Sequence, residues 1–198
     1  MTEPVNIVVP IKGLREGKTR LAGALSSDER HSLNSYLAER TLAVIRDALP
    51  DAVRWAVSPD PEIGDLARRF GAKFFTQSGH GLNAGLAEVC TGLETTRTVY
   101  VAADLPDLSV DDIVLLSVSD VIAIAPDESG RGTNALSLPV PRAIDFQFGP
   151  DSFARHKETA AAAGHPIGIL RRPGLAFDLD TKDDLARLGG VAVSGRYA

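Results

Sequence analysis

Short apolar, β-rich runs alternate with longer segments of helical spacing along most of this 198-residue chain. That order favours a parallel or mixed sheet covered by helices. The alternation starts at once: Ile7, Val8 and Val9 end at Pro10 and open into a loop carrying Lys12, Gly13, Gly17, Lys18 and Arg20. A long helix is expected from about Asp28, with Ser26 and Glu29 spaced as a capping box. Leu33, Leu37, Leu42, Val44, Ile45 and Leu49 would form its apolar face. Val53, Trp55 and Val57 alternate with Arg54, Ala56 and Ser58, the pattern of a strand with one buried face. Pro61 starts a short helix that Gly71 ends, Phe74 and Phe75 belong to a third strand, and Gly81 leads into a helix holding Leu82, Leu86, Val89 and Leu93. Residues 98–102 are apolar enough for a central strand, a helix covers Ile113 to Leu116, and another strand runs from Val121 to Ala125.

Beyond Ala125 the pattern changes. Asp127 to Thr133 reads as a Gly-containing loop and Asn134 to Pro139 as extended, and a helix from about Ser152 to Ala163 stops at Gly164. Ala176 to Asp180 is expected to form a last strand, followed by a helix capped by Thr181 with Asp183 and Asp184 in its first turn. No repeat or linker divides the chain. The expectation is one α/β domain with a mixed, mostly parallel sheet: residues 1–125 for a nucleotide, 126–175 as an acceptor-side lobe, and 176–198 as the closing strand and helix.

Composition narrows the partners. The formal net charge is -5 and aromatic residues make up 6% of the chain, with no basic stripe, so nucleic acid is a poor partner. The single cysteine, Cys90, rules out an internal disulfide framework, and four scattered histidines offer little to zinc. With no membrane-length apolar run and no secretion-signal order at the N-terminus, the expected compartment is the cytoplasm.

Against this acidic background the N-terminal loop stands out. Glycines let backbone N–H groups approach an anion while Lys12, Lys18 and Arg20 close over it. A solvated surface loop is the plain alternative. Asp104 follows the fourth strand, where ligands of open α/β sheets gather, and Asp178 and Asp180, two apart on an expected strand, would share a face. Three carboxylates without histidine or thiolate suit Mg²⁺ or Mn²⁺. Each aspartate also has a structural reading, Asp104 as a turn residue and Asp180 as a cap.

The segments VPIKGLREGKTRLA, GLNAGL, ADLPDL, APDESGRGTNAL, FGPDSFARH and FDLDTKDDL, in that order, resemble the guanylyltransferase family of coenzyme F420 biosynthesis. The resemblance covers nearly the whole chain. It implies a glycosyltransferase-A-type, Rossmann-like nucleotidyltransferase fold and transfer of GMP from GTP to a small three-carbon phosphoacid. That acid would be phosphoenolpyruvate, 2-phospho-L-lactate or 3-phosphoglycerate. Phosphoenolpyruvate is preferred because the chain looks like a bacterial member. By the same resemblance Asp104, Asp178 and Asp180 hold the metal, Lys12, Gly13, Lys18 and Arg20 meet the GTP phosphates, and Asn83 lies beside the nucleotide. Thr133, Gly149 and Ser152 match the positions for the phosphoacid. Pairing with a second copy stays open, and the product would pass to the next enzyme of the pathway. Ala103, where many relatives have glycine, and Glu128, where basic residues are common, leave the choice of acid open.

The chemistry suits these residues without the name. A phosphate monoester has its second pKa at about 6, so it is a competent nucleophile at neutral pH and needs no dedicated base. What remains is to suppress repulsion between polyanions, align them and stabilise departing pyrophosphate. Two other readings compete: a nucleotidyltransferase acting on a molybdopterin or sugar phosphate, and a nucleotide-binding module without turnover. Ser152 is equally open to a helix-cap role.

Overall fold

The structure, a computed structural model, describes residues 4–78 and 81–188. In chain order the elements are β1 (Asn6–Pro10), α1 (Ser27–Ala48), β2 (Val53–Ser58), α2 (Glu62–Arg69), β3 (Lys73–Thr76), α3 (Leu82–Val89), β4 (Thr98–Val101), α4 (Val110–Ser117), β5 (Ile122–Pro126), β6 (Thr133–Leu138), α5 (Ser152–Ala162), β7 (Ile167–Ile169), α6 (Pro173–Ala176) and α7 (Lys182–Arg187). The strands make one seven-stranded sheet in the order β3-β2-β1-β4-β6-β5-β7. Only β6 runs against the others. β4 is the middle strand, as its apolar run implied.

Alternate side chains of each strand enter different cores. Ile7, Val9, Ala56, Val99, Val101 and Ala135 meet α1, α2 and α4 on one face. Val8, Val57, Tyr100, Ile124 and Leu136 meet α3, α5 and Phe146 on the other. The outcome is a three-layer α/β/α sandwich. The expectation of one buried face for β2 is therefore corrected: Ala56, Val57 and Ser58 are all buried, because helices cover both sides of a mostly parallel sheet. At the start of α1 the Ser26 side chain accepts from the Glu29 N–H while Glu29 reaches back to Ser26, the capping box read from the spacing.

Two differences matter for the site. The expected last strand, Ala176 to Asp180, is not a strand. Ala176 ends the short helix α6, and residues 177–180 continue without a ladder partner. The apolar–acidic alternation that suggested a strand is real, since Phe177 and Leu179 are buried while Asp178 and Asp180 are only partly so. What it records is a segment lying across the end of the sheet, where the Leu179 N–H donates to the Asp104 carbonyl at 3.1 Å. The strand that does close the sheet, β7, pairs parallel to β5 and was hidden by its length and its central Gly168. Residues 189–198, the tail of the expected closing segment, lie outside the described residues.

Candidate active site at the carboxyl ends of the central strands

The loop after β1 is held by side chains from two helical neighbourhoods. Asp60 accepts the Leu14 N–H at 2.9 Å and the Glu62 N–H at 3.0 Å, and Asn34 donates to the Leu14 carbonyl at 2.7 Å. A Cβ at Gly17 would stand 2.7 Å from the Asn34 amide nitrogen, so glycine is what lets the loop press onto α1. The loop then enters a 3-10 turn at Thr19–Leu21 through Lys18, which takes a left-handed backbone at φ 58°. Such a conformation is costly for a lysine and persists only where surrounding contacts enforce it. Here Leu21 and Leu25 are packed with Leu33 and Leu37 of α1 and with Leu179, which anchors the turn beside the 177–180 segment.

This packing seats the Lys18 ammonium between two carboxylates. Its Nζ lies 2.6 Å from Asp104 Oδ2 and 2.8 Å from Asp180 Oδ1, with the lysine side chain only 7% exposed. Burial works against the charge on Lys18, but the two carboxylates outweigh it and hold its pKa above the ordinary lysine value. Arg20 reaches Asp180 Oδ2 only at 3.9 Å and is mostly exposed. Asp104 is placed by α1, whose Thr41 and Arg40 donate to the carbonyls of Ala103 and Leu108. Asp178 is fixed by Asn134 on β6, whose amide donates to Asp178 Oδ1 at 3.3 Å and to the Leu175 and Ala176 carbonyls that end α6. Burial, then repulsion from Asp104, pushes the Asp178 carboxyl up to about 6. A cavity of about 420 Å³ opens beside this cluster, lined in part by Arg20, Ser129, Phe177, Asp178 and Asp180.

As to a divalent ion, no set of three or more histidine, cysteine, aspartate or glutamate side chains stands together at ligating geometry among the described residues. Lys18 lies between Asp104 and Asp180 instead. The donor chemistry nevertheless fits a hard cation: all three groups are carboxylates, and, after burial, repulsion from Asp104 and Asp180 raises the Asp178 pKa.

The residues expected on the acceptor side gather at the start of α5. Ser152 is its first helical residue and is 2% exposed. The cap position falls instead on Asp151, which makes no side-chain cap bond, so the helix-cap reading of Ser152 is corrected. Gly149 adopts φ 124°, which other residues rarely tolerate, and open space lies beside its Cα. Thr133 opens β6, and its Oγ1 lies 3.0 Å from His156 Nδ1 on α5. The Phe153 N–H donates to the Arg131 carbonyl at 2.9 Å, tying α5 to the strand that carries Thr133. Asp151 is exposed at the surface.

Three further residues were named from sequence. Lys12 is exposed. Gly13 is buried against Asp60 and lines a separate cavity of about 320 Å³ with Arg15, Glu16 and Pro61. Asn83 uses both ends of its amide on Phe148, donating to its carbonyl at 3.0 Å and accepting its N–H at 2.9 Å. Its observed contact is thus to the segment preceding Gly149. Asn134 on β6 had not been singled out; His156, which sequence allowed to reach the acceptor pocket but which was expected at the surface or the core edge, is instead fully buried on the stripe of α5 with Ser152, Phe153 and Ala160. A polar side chain on an apolar face was the available signal for both.

A family model described as "Guanylyl transferase CofC like" matches residues 5–195. The chain belongs to this family. Among its relatives is the phosphoenolpyruvate guanylyltransferase of Sphaerobacter thermophilus, 41% identical over 196 residues that span 95% of this chain and 94% of the relative. The fold is shared with a nucleotidyl transferase from Methanothermobacter (TM-score 0.67, 13% identity, 94% of this chain and 96% of the other). It is shared too with glucosyl-3-phosphoglycerate synthase from Mycobacterium tuberculosis, solved with Mn²⁺ and uridine-diphosphate (TM-score 0.60, 11% identity, 94% and 75%). The architecture of this guanylyltransferase-family chain is thus the glycosyltransferase-A-like nucleotidyltransferase sandwich. No helix among the described residues is long and apolar enough to cross a membrane.

Proposed function

We propose that this protein transfers GMP from GTP to a three-carbon phosphoacid, phosphoenolpyruvate before 2-phospho-L-lactate or 3-phosphoglycerate, within coenzyme F420 biosynthesis. The observation that carries the reading is the Lys18 ammonium seated between Asp104 and Asp180, with Asp104 following β4 and Thr133 opening its neighbour β6. A phosphate oxygen of the acid attacks the α-phosphorus of GTP, one P–O bond forms, and the bond to pyrophosphate breaks. The attacking monoester is largely dianionic at neutral pH, so no side chain must take a proton. Lys18, with Lys12 and Arg20, offsets the charge of the triphosphate and of the pyrophosphate that leaves. Thr133, Ser152 and the backbone at Gly149 bind and orient the acid at the N-terminal end of α5, where the helix dipole favours an anion.

Asp104, Asp178 and Asp180 would hold Mg²⁺ or Mn²⁺. When bound, that ion withdraws charge from phosphate oxygens as a Lewis acid. The fold relative solved with Mn²⁺ and a nucleoside diphosphate supports such use of this sandwich. The product, a guanylylated acid joined through pyrophosphate linkage, is activated for transfer to the next enzyme. Incubation with GTP, Mg²⁺ and each acid in turn tests the assignment. Pyrophosphate and the mass of the guanylylated acid are expected with at least one; release with none of them removes it.

A further inference from the structure

His156 has no exposed surface, yet its ring makes two hydrogen bonds that together determine where its proton sits. The Gln147 backbone N–H points at Nε2 at 3.0 Å. An amide N–H only donates, so Nε2 must be the accepting nitrogen. The proton of the neutral ring therefore resides on Nδ1, which faces Thr133 Oγ1 at 3.0 Å. Burial, helped by Arg155, keeps the ring neutral by pushing its pKa down to about 4. Thr133 Oγ1 thus receives a hydrogen bond, and its own O–H must donate elsewhere. Phe148 packs edge-on against the imidazole with centroids 4.8 Å apart, and Asn83 clamps the same Phe148 backbone. The turn leading to Gly149 is therefore held from both sides.

We propose that His156 is a positioning residue for the acceptor: its Nδ1–H turns the Thr133 hydroxyl outward as a donor to the phosphoacid, and its Nε2 fixes the turn that presents Gly149. The inference rests on the guanylyltransfer reading and extends it to a group that never touches substrate. It gives the acid subsite a hydroxyl of defined polarity, suited to an anionic oxygen and unsuited to a hydrogen-bond donor.

Two substitutions separate the two ring nitrogens in the full chain. His156→Asn keeps an N–H near the Nδ1 position, and His156→Gln keeps an acceptor near Nε2. With GTP and phosphoenolpyruvate, His156→Gln is expected to raise the acid KM about tenfold, the scale of one lost hydrogen bond in a buried site. GTP KM should stay near wild type, and His156→Asn should recover most of the loss. In a Thr133→Val background, His156→Gln should add nothing further, because its effect passes through that hydroxyl. An unchanged acid KM, an equal rise in GTP KM, or full additivity with Thr133→Val overturns the proposal. Should the His156 variants unfold, Thr133→Ser and Thr133→Val carry the same comparison, with loss of acid affinity expected only for valine and equal affinity overturning it. Nitrogen-15 NMR of the wild-type imidazole gives a readout apart from turnover: an Nδ1–H tautomer supports the proposal, and an Nε2–H tautomer overturns it. A wild type that guanylylates no acid, while showing the Nδ1–H tautomer, would remove the reaction and leave the hydrogen-bond assignment standing.

Discussion

Lys18 is the residue on which the charge balance of the site turns, since its ammonium joins Asp104, from the middle of the chain, to Asp180. Replacing it with methionine keeps the aliphatic stem and removes the ammonium. Turnover should fall by about 10²–10³-fold, as when other preorganised charge stabilisers are deleted, with GTP and metal supplied in excess. Asp104→Asn should abolish metal-dependent turnover while circular dichroism and melting stay near wild type; an unaffected rate would remove Asp104 from the mechanism. His156 makes a separate prediction about pH. Its native pKa of about 4 lies below the ordinary value of 6.5, so the unfolded chain binds a proton there that the native state refuses. Stability should thus fall as pH drops from 6.5 toward 4, by up to roughly 3 kcal/mol from this group. Asp178, raised to about 6, acts in the opposite sense over part of that range. Denaturant titrations of wild type against His156→Gln cancel the Asp178 part, and wild type should lose ground to the variant as the solution is acidified. At this scale the residues that meet at Lys18 were legible as candidates, because a lysine-bearing loop and carboxylates at the ends of strands suit phosphate and metal chemistry. His156 and Asn134 were not, because their roles lie in hydrogen bonds to backbone and side chains distant in sequence.

Among the elements, the helices were the most legible and the segment after α6 the least. Capping residues act within a single turn, so Ser26–Glu29 and Thr181–Asp184 could be read from local spacing and both form. Ser26→Ala should cost about 1 kcal/mol in denaturant unfolding and leave turnover unchanged. Residues 177–180 carry strand-like alternation, but whether such a segment joins a ladder depends on a vacant edge, which no local pattern reveals. The turn into α5 is stricter. Gly149 at φ 124° should tolerate alanine poorly, at about 1–3 kcal/mol, through backbone strain rather than collision, because open space lies where the Cβ would go. Denaturation should report that loss, and, with Gly149 proposed for the acceptor side, the acid KM should rise more than the GTP KM.

For the whole molecule, alternation of strands and helices gave the α/β class, whereas strand order and the position of β7 depended on long-range pairing. The metal prediction belongs here. Asp104, Asp178 and Asp180 lie at the end of the sheet, outside the two large apolar cores that hold the layers together. Chelation should therefore stop turnover and leave a cooperative melt, with Mn²⁺ restoring activity and raising Tm by preferential binding to the native state. β6 is the strand whose direction matters most. Because it runs against β4, the residue that begins it lies beside the residues that end β4, with Val101 opposite Ala135 and the Ala102 N–H donating 2.9 Å to the Asn134 carbonyl. The carboxylate side of the site, after β4, and Thr133, proposed for the acid, thus stand on neighbouring strands of one sheet. If the proposed assignment holds, the spacing of the two reactants is set by the fixed interval between paired strands.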